Sequence, residues 1–300
     1  MPANTQGPAE IRRLPRGSPG WPAGLEHLDV PPAELWVRGV LWPPPVPAVA
    51  VVGARRATVT GLDVARELGR ELAAAGVLVI SGLARGVDAA AHRGALEGGG
   101  PTLAVLGCGV DVCYPPGHED LLEAVCETGA VISEDPPGTE PVGWRFPRRN
   151  RLIAALCLAV VVVEATERSG ALSTARHAAD LGREILAVPG SVRSPQSRGT
   201  NRLIRDGAVP LLELDDLAGA VPELPLGARP PGRGRPGRPP DDPALRTLLQ
   251  LVGCDPIHPD QLAEATGAGA AEIAVRLCAL ELGGWVQSLP GGRVARVPAR

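Results

Sequence analysis

From Ala48 onward, short β-branched apolar runs alternate with Ala-rich segments of helical length, and alternation at βαβ spacing leaves few folds open. The runs AVAVV (48–52), VLVI (77–80), TLAVLG (102–107), AVIS (130–133), AVVVVEA (159–165), EILAVP (184–189) and VPLLEL (209–214) read as strands. Segments near 61–75, 87–97, 118–128, 148–157, 170–181 and 200–206 read as the helices between them. Strands apolar on both faces need cover on both, so the helices must pack on the two sides of a parallel sheet. The expected fold is α/β: a Rossmann-like, doubly wound, mostly parallel sheet over residues 46–222, with a small C-terminal winged-helix domain.

The flanks read differently. Residues 1–45 are Pro-rich and irregular, with one readable piece, LEHLDVPPAELWVRG. Residues 223–243, built on PLGARPPGRGRPGRPPDDP, form a Pro/Gly/Arg linker that is extended rather than packed. Over 244–300 the expectation is a winged helix: PALRTLLQLV, HPDQLAEATG and AEIAVRLCALELGG as three helices, then WVQSLPGGRVARV as a hairpin turning at PGG. Its third helix carries Glu272 and Glu281 against Arg276, a poor grip for phosphates.

Composition narrows the chemistry. The net charge is -3, so an anion site must be a local concentration of cations on an acidic body. All 30 basic residues are arginine, which excludes a Gly-Lys-Ser/Thr phosphate loop and a Schiff-base lysine. The six cysteines form no C-x-x-C pair and have no His at zinc spacing, so they read as reduced core residues, and no metal is expected. Neither a signal-peptide h-region nor an apolar run of bilayer length is found, so a soluble, cytoplasmic protein with no membrane partner is expected.

Ligands of a doubly wound sheet bind beyond the carboxyl ends of its strands. The first such loop is GARRATVTG, where Gly53 permits a tight turn and Arg55 lies where a helix N-terminus can share an anion. The second is SGLARGVDAAAH, with Gly82 and Gly86 bracketing Arg85. Neither matches G-x-G-x-x-G, so no nicotinamide, flavin or other cofactor is expected, and either loop read alone is equally a plain strand-to-helix turn.

The stretch GWRFPRRNR, 143–151, adds more. Pro147 fits the first helical position, which would put Arg148, Arg149, Asn150 and Arg151 in the first turn. Cations there oppose the helix dipole and need a bound anion or a buried acidic partner. Phe146, the one Phe in the chain, and Trp144 set flat faces beside this charge, a combination suited to single-stranded nucleic acid. The competing reading makes Phe146 a helix-entry staple in the core. Further on, Ser169, Gly170, Ser173 and Thr174 lie across a helix start, either as a phosphate cradle or as ordinary caps. Asn201 reads as a cap near the last strand and is counted with the DNA-binding residues, and Glu134 reads as a contact for a base or as the buried partner of Arg148 or Arg149. Asp88 and His92, four apart on one helix, could touch as an acid–base unit or as a structural pair.

With these residues in hand, the chain resembles the DNA-processing protein A family, also called Smf. The resemblance rests on GARRATVTG, SGLARGVDAAAH, GCGVDVCYPPGH, ISEDPPGTEP, FPRRNRLIAAL, VVVVEATERSGALSTARHAADLGR, AVPG and GTNRLIRDGA, in family order over about residues 20–215. It implies a cytosolic homodimer that binds single-stranded DNA and loads a RecA-type recombinase onto it during natural transformation or related recombination, without catalytic turnover. Its DNA pocket would use Gly53, Arg55, Ser81, Gly82, Arg85, Phe146, Arg148, Asn150 and Arg151. Thr58 and Thr60 depart from the Ser and Tyr usual in the first motif.

Two rivals remain at this level. Nucleoside-monophosphate phosphoribohydrolases share the outline of the domain, but their P-G-G-x-G-T-x-x-E loop is missing, and ATERSGALSTA stands in its place. A nucleotide-sensing regulator reading duplex DNA would need a more basic third helix in the tail.

Overall fold

The computed structural model describes residues 10–40, 47–227, 242–253, 257–282, 285–289 and 293–296. The chain divides into two compact units, Met1–Arg229 and Pro230–Arg300.

In the first unit nine strands form one sheet. They are β1 (Ile11–Pro15), β2 (Glu34–Gly39), β3 (Ala48–Val52), β4 (Leu78–Ser81), β5 (Thr102–Val105), β6 (Ala130–Ser133), β7 (Ala159–Val162), β8 (Glu184–Ala187) and β9 (Val209–Pro210). Their order across the sheet is β1-β2-β6-β5-β4-β3-β7-β8-β9. From β6 to β9 every pairing is parallel, whereas β1 and β2 join antiparallel to the β6 edge. The chain moves outward from β3 through β4, β5 and β6, then returns to lay β7 against the other side of β3. The topological switch point therefore falls between β3 and β7.

Helices cover both faces, as the two-sided apolar strands require. Along β3, Ala48, Ala50 and Val52 enter the core layer shared with α4 (Arg145–Ala155) and α5 (Ala171–Asp180). Val49 and Val51 enter the opposite layer with α1 (Val59–Ala74), α2 (Val87–Glu97) and α7 (Leu214–Ala220), while α3 (Glu119–Thr128) closes a third cluster over β5 and β6. The helix α6 (Arg198–Arg205) lies beyond β8.

The seven expected strands are present within a residue or two at their starts, and four differences have physical causes. Residues 10–40 are not irregular: β2 alternates buried Leu35, Val37 and Gly39 with half-buried Glu34, Trp36 and Arg38, Trp36 packing against the cluster under α3, and pairs with β6. The run VPLLEL yields only two strand residues, because Glu213 and Asp216 form a reciprocal capping box that starts α7. Leu224 and Leu226, inside the stretch expected as linker, are buried in the first unit. Among the cysteines, Cys278 is exposed and Cys113 half-buried rather than core, and Cys254 lies outside the described residues.

The second unit contains α8 (Pro243–Leu251), α9 (Pro259–Thr266), α10 (Ala270–Leu282) and a hairpin of β10 (Val286–Leu289) and β11 (Arg293–Arg296). Gly267 takes the left-handed conformation, φ 68°, that ends α9. The expected turn at PGG lies outside the described residues. No helix among the described residues is long and apolar enough to cross a membrane, and no group of three or more His, Cys, Asp or Glu there is placed to hold a metal.

Candidate nucleic-acid interface

Because β3 to β8 run parallel, the loops that follow them share one edge of the sheet. At the switch point itself the anion is the protein's own. The Glu164 carboxylate accepts from the Thr58 amide (2.9 Å) and the Thr58 hydroxyl (2.6 Å), while Thr58 Oγ1 caps α1 by accepting from the Gly61 amide at 3.0 Å. The dipole of α1 is thereby already matched, so the expectation that Arg55 shares an external anion with that helix terminus is corrected. Gly53 turns the chain here because no Cβ fits: it would meet Val87 Cγ2 at 2.6 Å.

The open space lies next door, beyond β3, β4 and β5. A pocket of about 300 Å³ is framed by Arg55 and Arg56 from the first loop, Gly82, Ala84 and Arg85 from the second, Tyr114 with its two following prolines, and Phe146 and Arg149 from α4. Phe146 stacks with Tyr114, the only Tyr in the chain, with centroids 5.2 Å apart and planes inclined by 26°. The Arg55 guanidinium stands 5.1 Å from the Phe146 centroid, a cation–π contact. Phe146 is half-buried beside the pocket, so the staple reading is set aside. Arg55, Arg56 and Arg85 are exposed, and none has a carboxylate partner among the described residues.

Arg149 belongs to the pocket in another way. It is buried, and its guanidinium donates to the carbonyls of Gly82 and Val105 and to Asn150 Oδ1. A Cβ at position 82 would collide with that guanidinium, which is why the loop needs glycine there. Burial lowers the Arg149 pKa from its ordinary value, and the nearby Asp88 carboxylate opposes the shift. Asp88 in turn accepts from the Gly82 amide, and burial raises its pKa. Leu83, buried and at φ 57°, holds a left-handed backbone conformation in this loop.

Other expected site residues lie elsewhere. The helix α4 starts at Arg145, two residues before Pro147, so only Arg148 of the expected four lies in its first turn. Proline is tolerated at the third position because no amide is needed there. Glu134 pairs with Arg148 and Arg151, and Asp135 with Arg145; Arg149 is not among Glu134's partners. Of the two ways to offset arginines at a helix start, the acidic partner is the one present. Ser81 is a correction as a contact: fully buried, it donates to the Val51 carbonyl at 2.6 Å. Asn150 ties α4 to α5 by donating to the Gly170 carbonyl at 3.2 Å. Gly170 itself is exposed, with Ser169 and Ser173 half-buried around the α5 start, and Ser169 Oγ accepts from the Ala171 amide at 3.3 Å. Asn201 sits inside α6 rather than capping it, and its amide pairs with both backbone groups of Gly190. Asp88 and His92 do not join: His92 Nδ1 donates to Thr102 Oγ1 at 2.7 Å, and burial lowers the His92 pKa to about 3.

The pocket thus brings together Arg55, Gly82, Arg85, Phe146 and Arg149, and leaves Arg148, Arg151, Ser169, Ser173 and Asn201 outside its lining. Tyr114 and Arg56 are the contributors that residue-level reasoning missed. The signal for Tyr114 was present, since it is the only Tyr and stands inside the motif GCGVDVCYPPGH.

The carboxyl edge of this doubly wound sheet gathers exposed guanidinium groups around two stacked rings, chemistry that suits an anionic, ring-bearing ligand. Residues 12–222 match the family described as DNA recombination-mediator protein A, and residues 232–292 match the DprA winged helix domain. Protein Smf of Escherichia coli (strain K12) is 38% identical over 288 residues, covering 94% of this chain and 76% of that protein. The X-ray structure of DNA processing protein A from Streptococcus pneumoniae superimposes with a TM-score of 0.67 at 36% identity, over 70% of this chain and 74% of that one. DNA processing protein A from Helicobacter pylori, solved in a study of its single-stranded DNA binding mode, gives 0.63 at 28% identity, over 70% and 95%. The chain belongs to the DNA recombination-mediator protein A family.

Proposed function

We propose that the chain binds single-stranded DNA in this pocket and loads a RecA-type recombinase onto it, as a cytoplasmic homodimer and without catalytic turnover. The observation that carries the reading is the set Arg55, Arg56 and Arg85, unpaired by carboxylates, beside the Tyr114–Phe146 stack. Guanidiniums neutralise phosphates, and splayed bases stack on flat rings whatever their identity. A duplex hides its base faces, so the rings favour single strands. The binding mode named for the Helicobacter pylori relative supports the same ligand.

The lining also argues for binding over catalysis. It holds no carboxylate and no imidazole, and burial pushes the Cys108 thiol up to about 11, far from a reactive thiolate. Fluorescence anisotropy with matched single-stranded and duplex oligonucleotides tests the ligand. The expected result is tighter single-strand binding that Arg55→Ala and Phe146→Ala each weaken; equal retention of both DNAs by all three proteins would refute it. Recombinase assembly on strands coated with the protein, measured against bare strands, tests the loading step.

A further inference from the structure

Trp144 is the large side chain at this edge that folding does not explain. It is 58% exposed and occupies the N-cap of α4, where it makes no side-chain capping bond and where Ser, Thr, Asp or Asn would serve the helix better. Yet its surroundings are ordered around it. The Arg145 guanidinium lies 4.7 Å from its ring and that of Arg148 at 5.9 Å. Both are tied back, Arg145 to Asp135 and Arg148 to Glu134. The Arg145 Nε is buried with no hydrogen-bond partner. Counting Arg145, Arg148 and Arg151 against Glu134 and Asp135, three cations face two anions, so the patch keeps one positive charge.

Phe146, two residues on, borders the pocket, and Trp144 is not among the pocket's lining residues. The start of α4 thus carries two rings, Phe146 at the pocket and the exposed Trp144 outside its lining. We propose that Trp144 is a second base-stacking station, outside the pocket, held flat by Arg145 and Arg148 and taking the nucleotide that follows the one at Phe146. This rests on the single-stranded DNA reading above and adds a contact that reading does not need. The acidic pair orients the arginines against the ring, so the station contributes stacking with little added phosphate binding. Its effect should therefore depend weakly on salt, unlike that of Arg55.

The test measures affinity for oligothymidylates of increasing length in the parent, Trp144→Ala, Trp144→Leu and Trp144→Phe, with thermal unfolding to confirm each fold. The parent should gain affinity at the length that reaches the indole. Ala and Leu should lose about ten-fold on long strands and almost nothing on the shortest that bind, while Phe retains the gain. An abasic nucleotide placed along a long strand should weaken the parent at one position where it no longer weakens Trp144→Ala. If the Ala variant keeps the parent's length dependence, the station does not exist, although the pocket reading stands. If Leu restores the gain, the side chain acts as apolar bulk and stacking is refuted. A parent that binds no single strand at any length defeats the pocket reading as well.

Discussion

Arg149 and Arg55 line one pocket and do opposite jobs there. Arg149 is buried beneath Gly82, its donors committed to two backbone carbonyls and its charge facing Asp88. Replacing it with Ala leaves those groups unpaired in a low-dielectric site, a loss of roughly 3–5 kcal/mol in unfolding free energy by denaturant titration. Arg55→Ala removes an exposed side chain and should leave the denaturant midpoint nearly unchanged while weakening the strand. His92 contributes a second residue-scale expectation. The unfolded chain takes up a proton on this imidazole near pH 6.5, whereas the folded chain resists it down to about 3. Its contribution to stability is complete above that upper value and drains away as pH falls through the window, by up to about 1.4 kcal/mol per pH unit. His92→Gln should flatten the acid limb of a stability–pH curve between those values; an unchanged limb would place the titration elsewhere.

Among the elements, α4 departs most from ordinary helix design. Arginines crowd its first two turns against the dipole, and Glu134 and Asp135 at the end of β6 make this tolerable. Glu134→Gln should therefore lower stability by about 1.5–3 kcal/mol while leaving unchanged the binding of the shortest strands, which do not reach Trp144. A variant that kept its stability and lost binding would mean that Glu134 touches the ligand. This is also where sequence reading reached its limit. The parallel strands were legible because each is a continuous apolar run, and the arginine-rich stretch was legible as an anomaly. Which acid answered which arginine was not, since Glu134 meets Arg148 and Arg151 across the gap between a strand end and a helix. Ser81 misled for a related reason: a strand-end hydroxyl can face the edge or bond the neighbouring strand, and here it meets Val51. The strands β1 and β2 were obscured by prolines, and β2 owes its place to pairing with β6, far along the chain. Tyr114 needed the fold to bring it to Phe146.

Over the whole molecule a net charge of -3 sets the terms. An acidic body repels nucleic acid at large, so the proposed site relies on the cations at the sheet's carboxyl edge that lack carboxylate partners among the described residues, together with stacking. In the second unit, Arg276 on α10 pairs with Glu272. Binding should accordingly show a shallow salt dependence for a DNA-binding protein. With Arg55, Arg56 and Arg85 as the neutralising groups, log Kobs should fall against log salt with a slope of about -2 at roughly 0.7 per phosphate.

The most direct measurement is that slope, taken by anisotropy titration of one labelled single strand across a salt series for the parent, Arg55→Ala and Arg85→Ala. The account predicts a slope near -2 in the parent, less steep by about 0.7 in each variant, with weaker binding at every salt concentration. Variants that match the parent in both affinity and slope would contradict it.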